Sequence, residues 1–232
     1  MLAFYYTVNI LLSILFGIVT RRKVRGRENV PPKGSLILVS NHLNNADIPL
    51  LAINFPRGIV FMAKEELFRS PVGWAIKASG ALPVRRGLVD RATLRIANQV
   101  LKDGKVLGIY PEGTRSRTGR LQPARPGVAL IARESQSLLL PVGIYGTEKM
   151  RGLFWWLHRP TVTVNIGKPF SLPTSSNEHN KEELALFTTY IMRHIAELLP
   201  PEYRGVYGES HQPQLNSPSI APAPLRGEKL GG

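Results

Sequence analysis

From residue 35 onward the chain alternates between short apolar runs and longer amphipathic stretches. No other feature limits the fold as strongly. "SLILVS" (35–40), "IVFMA" (59–63), "ALPV" (81–84), "VLGIY" (106–110), "LLLPVGI" (138–144) and "TVTVNI" (161–166) are short, aliphatic or β-branched, and bounded by turn formers. That is the pattern of strands, most of them buried on both faces. Between them lie helical patterns: a short one at 47–55, pieces broken by Pro71 at 64–79, and a long amphipathic one at 181–199. The clearest spans 90–104, where Leu94, Ala97, Val100 and Leu101 share a face, Asp90 can cap and Gly104 stops the helix. Strands alternating with helices predict an α/β fold with a mostly parallel central sheet flanked by helices.

The ends of the chain have a different character. Residues 1–20 carry no charge, and "RRKVRGR" follows immediately. Twenty helical residues reach about 30 Å, the thickness of a hydrocarbon core. No basic stretch precedes the apolar run, so a signal peptide is not indicated. Basic residues on its C-terminal side would hold the following domain on the cytoplasmic face of the cell membrane. Asn9, Ser13, Tyr5 and Tyr6 also suit a helix lying in one leaflet, so spanning and shallow insertion both fit. From residue 201 on, Pro, Ser and Gly dominate and large apolar side chains almost vanish. Such a segment cannot bury enough surface to offset the entropy of ordering, and a disordered tail is expected. The division predicted is a membrane-associated helix at 1–23, one folded domain at 24–200 and a tail at 201–232.

The formal charge of +14 calls for an acidic partner: nucleic acid, an anionic lipid surface or a phosphorylated substrate. The chain has no cysteine, which excludes disulfides, thiolate zinc sites and a cysteine nucleophile. "RRKVRGR" has no interleaved aromatics of the kind that stack on bases, so nucleic acid is not the expected partner.

Three groups of chemically capable residues each follow a predicted strand, where open α/β sheets place their ligands. In "SNHLNNADIP" (40–49), His42 and Asp47 lie five apart. On a regular helix such positions point about 140° apart, so only a turn brings them together. If they meet, the carboxylate fixes the imidazole tautomer and leaves the other nitrogen as a base. The alternative is that Asp47 caps the helix after Pro49 and His42 is an ordinary loop residue. In "YPEGTRS" (110–116), Gly113, Thr114 and Arg115 suit a phosphate or a developing oxyanion, and Glu112 is expected to hold a nearby arginine or lysine. In "GALPVRR" (80–86), Arg85 and Arg86 follow another strand, and a pair of guanidiniums complements a phosphate monoester.

The blocks "NHLNNAD" (41–47), "GALPVRR" (80–86), "YPEGTRS" (110–116) and "LPVGI" (140–144), in that order and spacing, resemble the 1-acyl-glycerol-3-phosphate acyltransferase family. The resemblance covers about residues 24–170 and implies transfer of an acyl chain from a coenzyme A or acyl-carrier-protein thioester to lysophosphatidic acid, giving phosphatidic acid. It implies His42 as general base and Asp47 as its orienting partner. Arg86 and Arg115 would hold the acceptor phosphate, in a pocket shaped by Glu112, Gly113 and Thr114. Pro141 would shape the acyl or carrier side. No metal or cofactor is implied beyond the thioester co-substrate, and anionic membrane lipids are the expected surroundings. Leu43-Asn44-Asn45 stand where many members carry small or hydroxyl residues, which bears on the choice of acceptor. The rival readings are the same chemistry on glycerol 3-phosphate, another lysophospholipid or a lyso-aminolipid, and a non-catalytic basic module that binds anionic lipid or nucleic acid. A metal hydrolase using His42 and Asp47 as ligands is a weaker rival, because no HExxH is present.

Overall fold

A computed structural model describes residues 2–69, 73, 81–84, 91–173 and 181–208. Arg85 and Arg86 lie outside these residues. Among them run seven strands: β1 (Arg21–Arg25), β2 (Leu36–Ser40), β3 (Ile59–Lys64), β4 (Leu82–Val84), β5 (Val106–Ile109), β6 (Leu138–Tyr145) and β7 (Thr161–Ile166). They form one sheet in the order β1-β7-β6-β2-β5-β3-β4. Every neighbouring pair is parallel except β6 and β7, which are antiparallel. The expected α/β architecture with a mostly parallel sheet is what the chain adopts.

Among the described residues five helices cover the sheet: α1 (Leu2–Val19), α2 (Asp47–Asn54), α3 (Arg91–Lys102), α4 (Gly127–Ser135) and α5 (Lys181–Glu197). The strand pleat sends alternate side chains to two cores. Leu36 and Leu38 pack with Leu140 and Val142 against Phe16 of α1 and Leu50 of α2. Ile37 and Val39 pack with Leu107 and Leu139 against Leu101 of α3, Ile131 of α4 and Ile191 of α5. All five β2 residues are buried, which explains why this strand reads as a continuous apolar run. Pro141 is also buried in β6, where its carbonyl accepts from the Gly167 N–H at 2.9 Å.

Two elements were not predicted. The basic cluster after residue 20 is the edge strand β1, in which Arg21, Lys23 and Arg25 are exposed while Val24 packs toward the core. Arg22 turns back to α1 and donates to the Ser13 hydroxyl at 3.3 Å and the Ser13 carbonyl at 3.1 Å. Charged side chains on an edge strand block pairing with another chain. The second is α4, which follows Pro126.

The boundary at residue 200 needs correction. Residues 201–208 form two single 3₁₀ turns rather than the start of a disordered tail. Tyr203 donates through its hydroxyl to Glu148 at 2.8 Å, and the Tyr207 hydroxyl accepts from the Ala124 N–H at 3.0 Å. Gly205 has φ 52°, and a Cβ there would collide with the Leu121 carbonyl. Two aromatic anchors and one glycine thus hold these turns to the domain. Residues 209–232 lie outside the described part.

Helix α1 lies against the domain through Leu12, Phe16 and Val19, three positions on one helical stripe. Ile10, Leu11, Ile14, Leu15 and Ile18 on its remaining surface are exposed. Among the described residues, no helix is long and apolar enough to cross a membrane.

Candidate active site

β2 and β5 are neighbours in the sheet, and the loops leaving their C-terminal ends meet. The first loop carries His42 and Asp47, and the second carries Glu112 to Ser116. This is the location that strand order favours for a ligand site.

The turn between His42 and Asp47 does bring their side chains together. His42 Nδ1 lies 2.8 Å from Asp47 Oδ2. The same oxygen accepts the backbone N–H groups of Leu43 at 2.7 Å and Asn44 at 2.8 Å. Asp47 therefore does not cap α2. It is the first helical residue, and its carboxylate reaches back to organise the loop before it. It is fully buried, whereas the His42 side chain is 12% exposed. A carboxylate oxygen accepts, so the 2.8 Å contact puts the His42 proton on Nδ1 and leaves Nε2 as an acceptor. Nε2 has no hydrogen-bond partner among the described residues.

The ring of His42 stacks on Tyr110, with centroids 4.1 Å apart and planes 18° from parallel. Tyr110 in turn stacks on Phe61 at 5.9 Å. Burial and the Asp47 charge push the Tyr110 phenol well above its ordinary range, so it stays neutral. This aromatic floor was not anticipated. Its signal was there in the residue that ends the "VLGIY" run, directly before the Glu-Gly-Thr-Arg block.

Glu112 holds backbone, and among the described residues no arginine or lysine is paired with it. Oε1 accepts the His42 N–H at 3.1 Å, and Oε2 accepts the Gln122 N–H at 2.9 Å. Burial pushes its carboxyl up to about 7, against the pull of those two donors, and the Asp47 charge adds to the rise. The carbonyl of His42 accepts from the Ser116 N–H at 2.7 Å. The histidine main chain is thus held on both sides by the neighbouring loop.

Gly113 closes the turn with φ 67°, and its N–H is used on the Tyr110 carbonyl at 2.9 Å. A side chain there would also press on Arg125. Gly113 supplies turn geometry, and the polar side chains that follow it are Thr114 and Arg115. Both are exposed. Arg115 has no carboxylate partner among the described residues, and it precedes the residue bonded to His42. Arg86 cannot be placed relative to this group because it lies outside the described residues.

Two of the three asparagines of the first block, Asn41 and Asn44, act in structure. Asn41 exchanges two 2.8 Å hydrogen bonds with the backbone of Ile144 at the end of β6. Asn44 donates to the carbonyls of Thr147 at 3.1 Å and Met150 at 3.2 Å. Asn44 is therefore committed to holding the loop. Among the described residues, no group of three or more His, Asp or Glu side chains is arranged to hold a metal ion.

A protein-family model described as "Acyltransferase" matches residues 21–145. The 1-acyl-sn-glycerol-3-phosphate acyltransferase of Bacillus subtilis (strain 168) is 28% identical over 193 residues, covering 82% of this chain and 92% of that protein. The enzyme of the same name from Saccharomyces cerevisiae is 30% identical over 179 residues, 72% of this chain and 55% of its own length. The chain thus spans nearly all of the bacterial relative and about half of the yeast one. The crystal structure of the 1-acyl-sn-glycerophosphate acyltransferase PlsC from Thermotoga maritima superposes with a TM-score of 0.64 at 28% identity, over 84% of this chain and 78% of that one.

Proposed function

We propose a reaction for this chain from the premise that it belongs to the acyltransferase family. It is an acyltransferase that moves an acyl group to the free hydroxyl of lysophosphatidic acid, forming phosphatidic acid. The observation that carries the reading is the fixed His42–Asp47 pair, with Nδ1 held and Nε2 open.

In the mechanism proposed, Nε2 of His42 takes the proton from the acceptor hydroxyl as its oxygen attacks the thioester carbonyl. Asp47 holds the ring and stabilises the imidazolium that forms. Collapse of the tetrahedral intermediate breaks the C–S bond, the new ester C–O bond remains, and the imidazolium returns its proton to the thiolate. No acyl-enzyme is needed, because the thioester is already activated. Arg115, with Arg86, holds the acceptor phosphate, while Thr114 offers it a hydroxyl. The donor is an acyl-coenzyme A or acyl carrier protein thioester.

We further place the enzyme on the cytoplasmic face of the cell membrane, with α1 lying in one leaflet. Support comes from the stripe that docks α1 on the domain while its other surface is exposed, and from the cationic strand that follows.

The test is an acceptor panel with purified protein and one labelled acyl thioester. Transfer to lysophosphatidic acid, lost in His42→Ala with an unchanged unfolding curve, is the expected result. Transfer to glycerol 3-phosphate or a lyso-aminolipid alone would change the acceptor. Transfer to nothing would favour the non-catalytic lipid-binding module.

A further inference from the structure

The segment joining β6 to β7 exposes an unusual run of apolar side chains. Leu153 is 80% exposed, Phe154 59%, Trp156 46% and Leu157 60%. Such a dense patch on a surface otherwise rich in charge marks an interaction site. Basic side chains surround it. Arg21, Lys149, Arg151, His158 and Arg159 line an open cleft of about 580 Å³, together with Trp155. None of the five has a carboxylate within ion-pair distance among the described residues.

The topology tells what the patch faces. β7 and β1 run antiparallel to β6, with Tyr145 opposite Thr163. The segment therefore leaves the sheet at the same edge as His42, and Asn44 of the histidine loop is bonded to its base. It also touches α1: the Arg159 guanidinium donates to the Gly17 carbonyl at 3.2 Å. Residues 153–157 thus adjoin the helix whose outward row is Ile14, Leu15 and Ile18. Arg159 holds a left-handed conformation at φ 41° and Gly152 one at φ 84°, so the segment is bent sharply at both ends of its apolar tip.

We infer that residues 151–159 form a second membrane-insertion element, with Leu153, Phe154, Trp156 and Leu157 entering the boundary between headgroups and acyl chains. The cleft behind the tip takes the headgroup phosphate of an anionic phospholipid. Tryptophan and phenylalanine flanked by arginine suit that boundary, where one end is apolar and the other wet. A second copy of the chain fits less well, since two-fold contact through this patch would face the same cations against each other. The inference concerns a headgroup site apart from the acyl-transfer site and does not require the reaction proposed above.

The test measures binding of the purified full chain to vesicles of phosphatidylcholine alone and of phosphatidylcholine with phosphatidylglycerol. The double variant F154S/L157S should bind both about tenfold more weakly or worse. The double variant K149Q/R151Q should bind only the anionic vesicles more weakly, about tenfold to thirtyfold, with the difference vanishing at high salt. Turnover on a short-chain acceptor below its micelle concentration should stay unchanged in both, which separates lost docking from lost folding or lost chemistry. In a W74F background both remaining tryptophans lie in this segment, so quenching by brominated lipids reads its depth directly. Wild-type binding by both variants, or unquenched tryptophans, would overturn the inference. So would a change confined to the sedimentation of the protein, which would assign the patch to a second copy.

Discussion

Replacing Glu112 with glutamine sets two opposing effects against each other. The carboxyl is only 3% exposed, and burial raises it to about 7 from an ordinary 4.5. The Gln122 and His42 N–H groups favour its charged form, but less strongly. Between those two values the folded chain binds more protons at this group than the unfolded chain does. The stability it contributes is therefore complete below about pH 4.5 and is lost as pH rises through about 7. A gap of about 2.5 pH units corresponds to ~3 kcal/mol in all, of which ~2 kcal/mol falls between pH 5.5 and 8. Glutamine cannot ionise. It keeps one acceptor and turns a second donor toward an N–H, which costs ~1–3 kcal/mol at every pH. Urea unfolding of wild type and Glu112→Gln at pH 5.5 and pH 8 supplies the comparison, and subtracting the two proteins cancels the other titrating groups. The variant should gain ~2 kcal/mol relative to wild type on going to the higher pH. A difference constant to within ~0.5 kcal/mol would mean that the two N–H donors keep the carboxylate charged throughout, and the reasoning from burial would fail.

Asp47→Asn should lower turnover by ~10²-fold or more, because a neutral amide no longer stabilises the imidazolium, and a rate within a few-fold of wild type would remove Asp47 from the mechanism. Arg115→Ala should raise the KM for the phosphate-bearing acceptor by ~10-fold or more and leave the KM for the thioester unchanged, since a charge-assisted contact to phosphate is lost. Equal rises for both substrates would contradict its assignment. Gly205→Ala should lower the unfolding free energy by ~1–3 kcal/mol, because the left-handed backbone and the Leu121 carbonyl both oppose a Cβ. An unchanged urea midpoint would show that residues 201–208 are not held to the domain.

The buried strands were legible in the sequence because both of their faces are apolar, and β2, β3, β5 and β6 fall where their runs predict. β1 was not, since Val24 is its one apolar side chain and its partner β7 lies far along the chain. Tyr203 and Tyr207 were lost among prolines and glycines for a similar reason, as the hydroxyl of each bonds to a residue far away along the chain. In the site, the position of each block after a strand was readable, but the atoms that meet were not. The spacing of His42 and Asp47 fits both a cap and a pair, and only the loop geometry decides between them. Glu112 was assigned a cation because carboxylates seek cations, whereas its partners among the described residues are backbone N–H groups, which every residue except proline carries and which leave no trace in composition.

Because the main chain of His42 is pinned at its amide by Glu112 and at its carbonyl by Ser116, the proposed base is tied to the neighbouring loop. Whatever reshapes the loop between those two residues also re-aims the imidazole. Attempts to widen headgroup tolerance by lengthening or swapping residues 113–115 should therefore pay in rate as well as affinity.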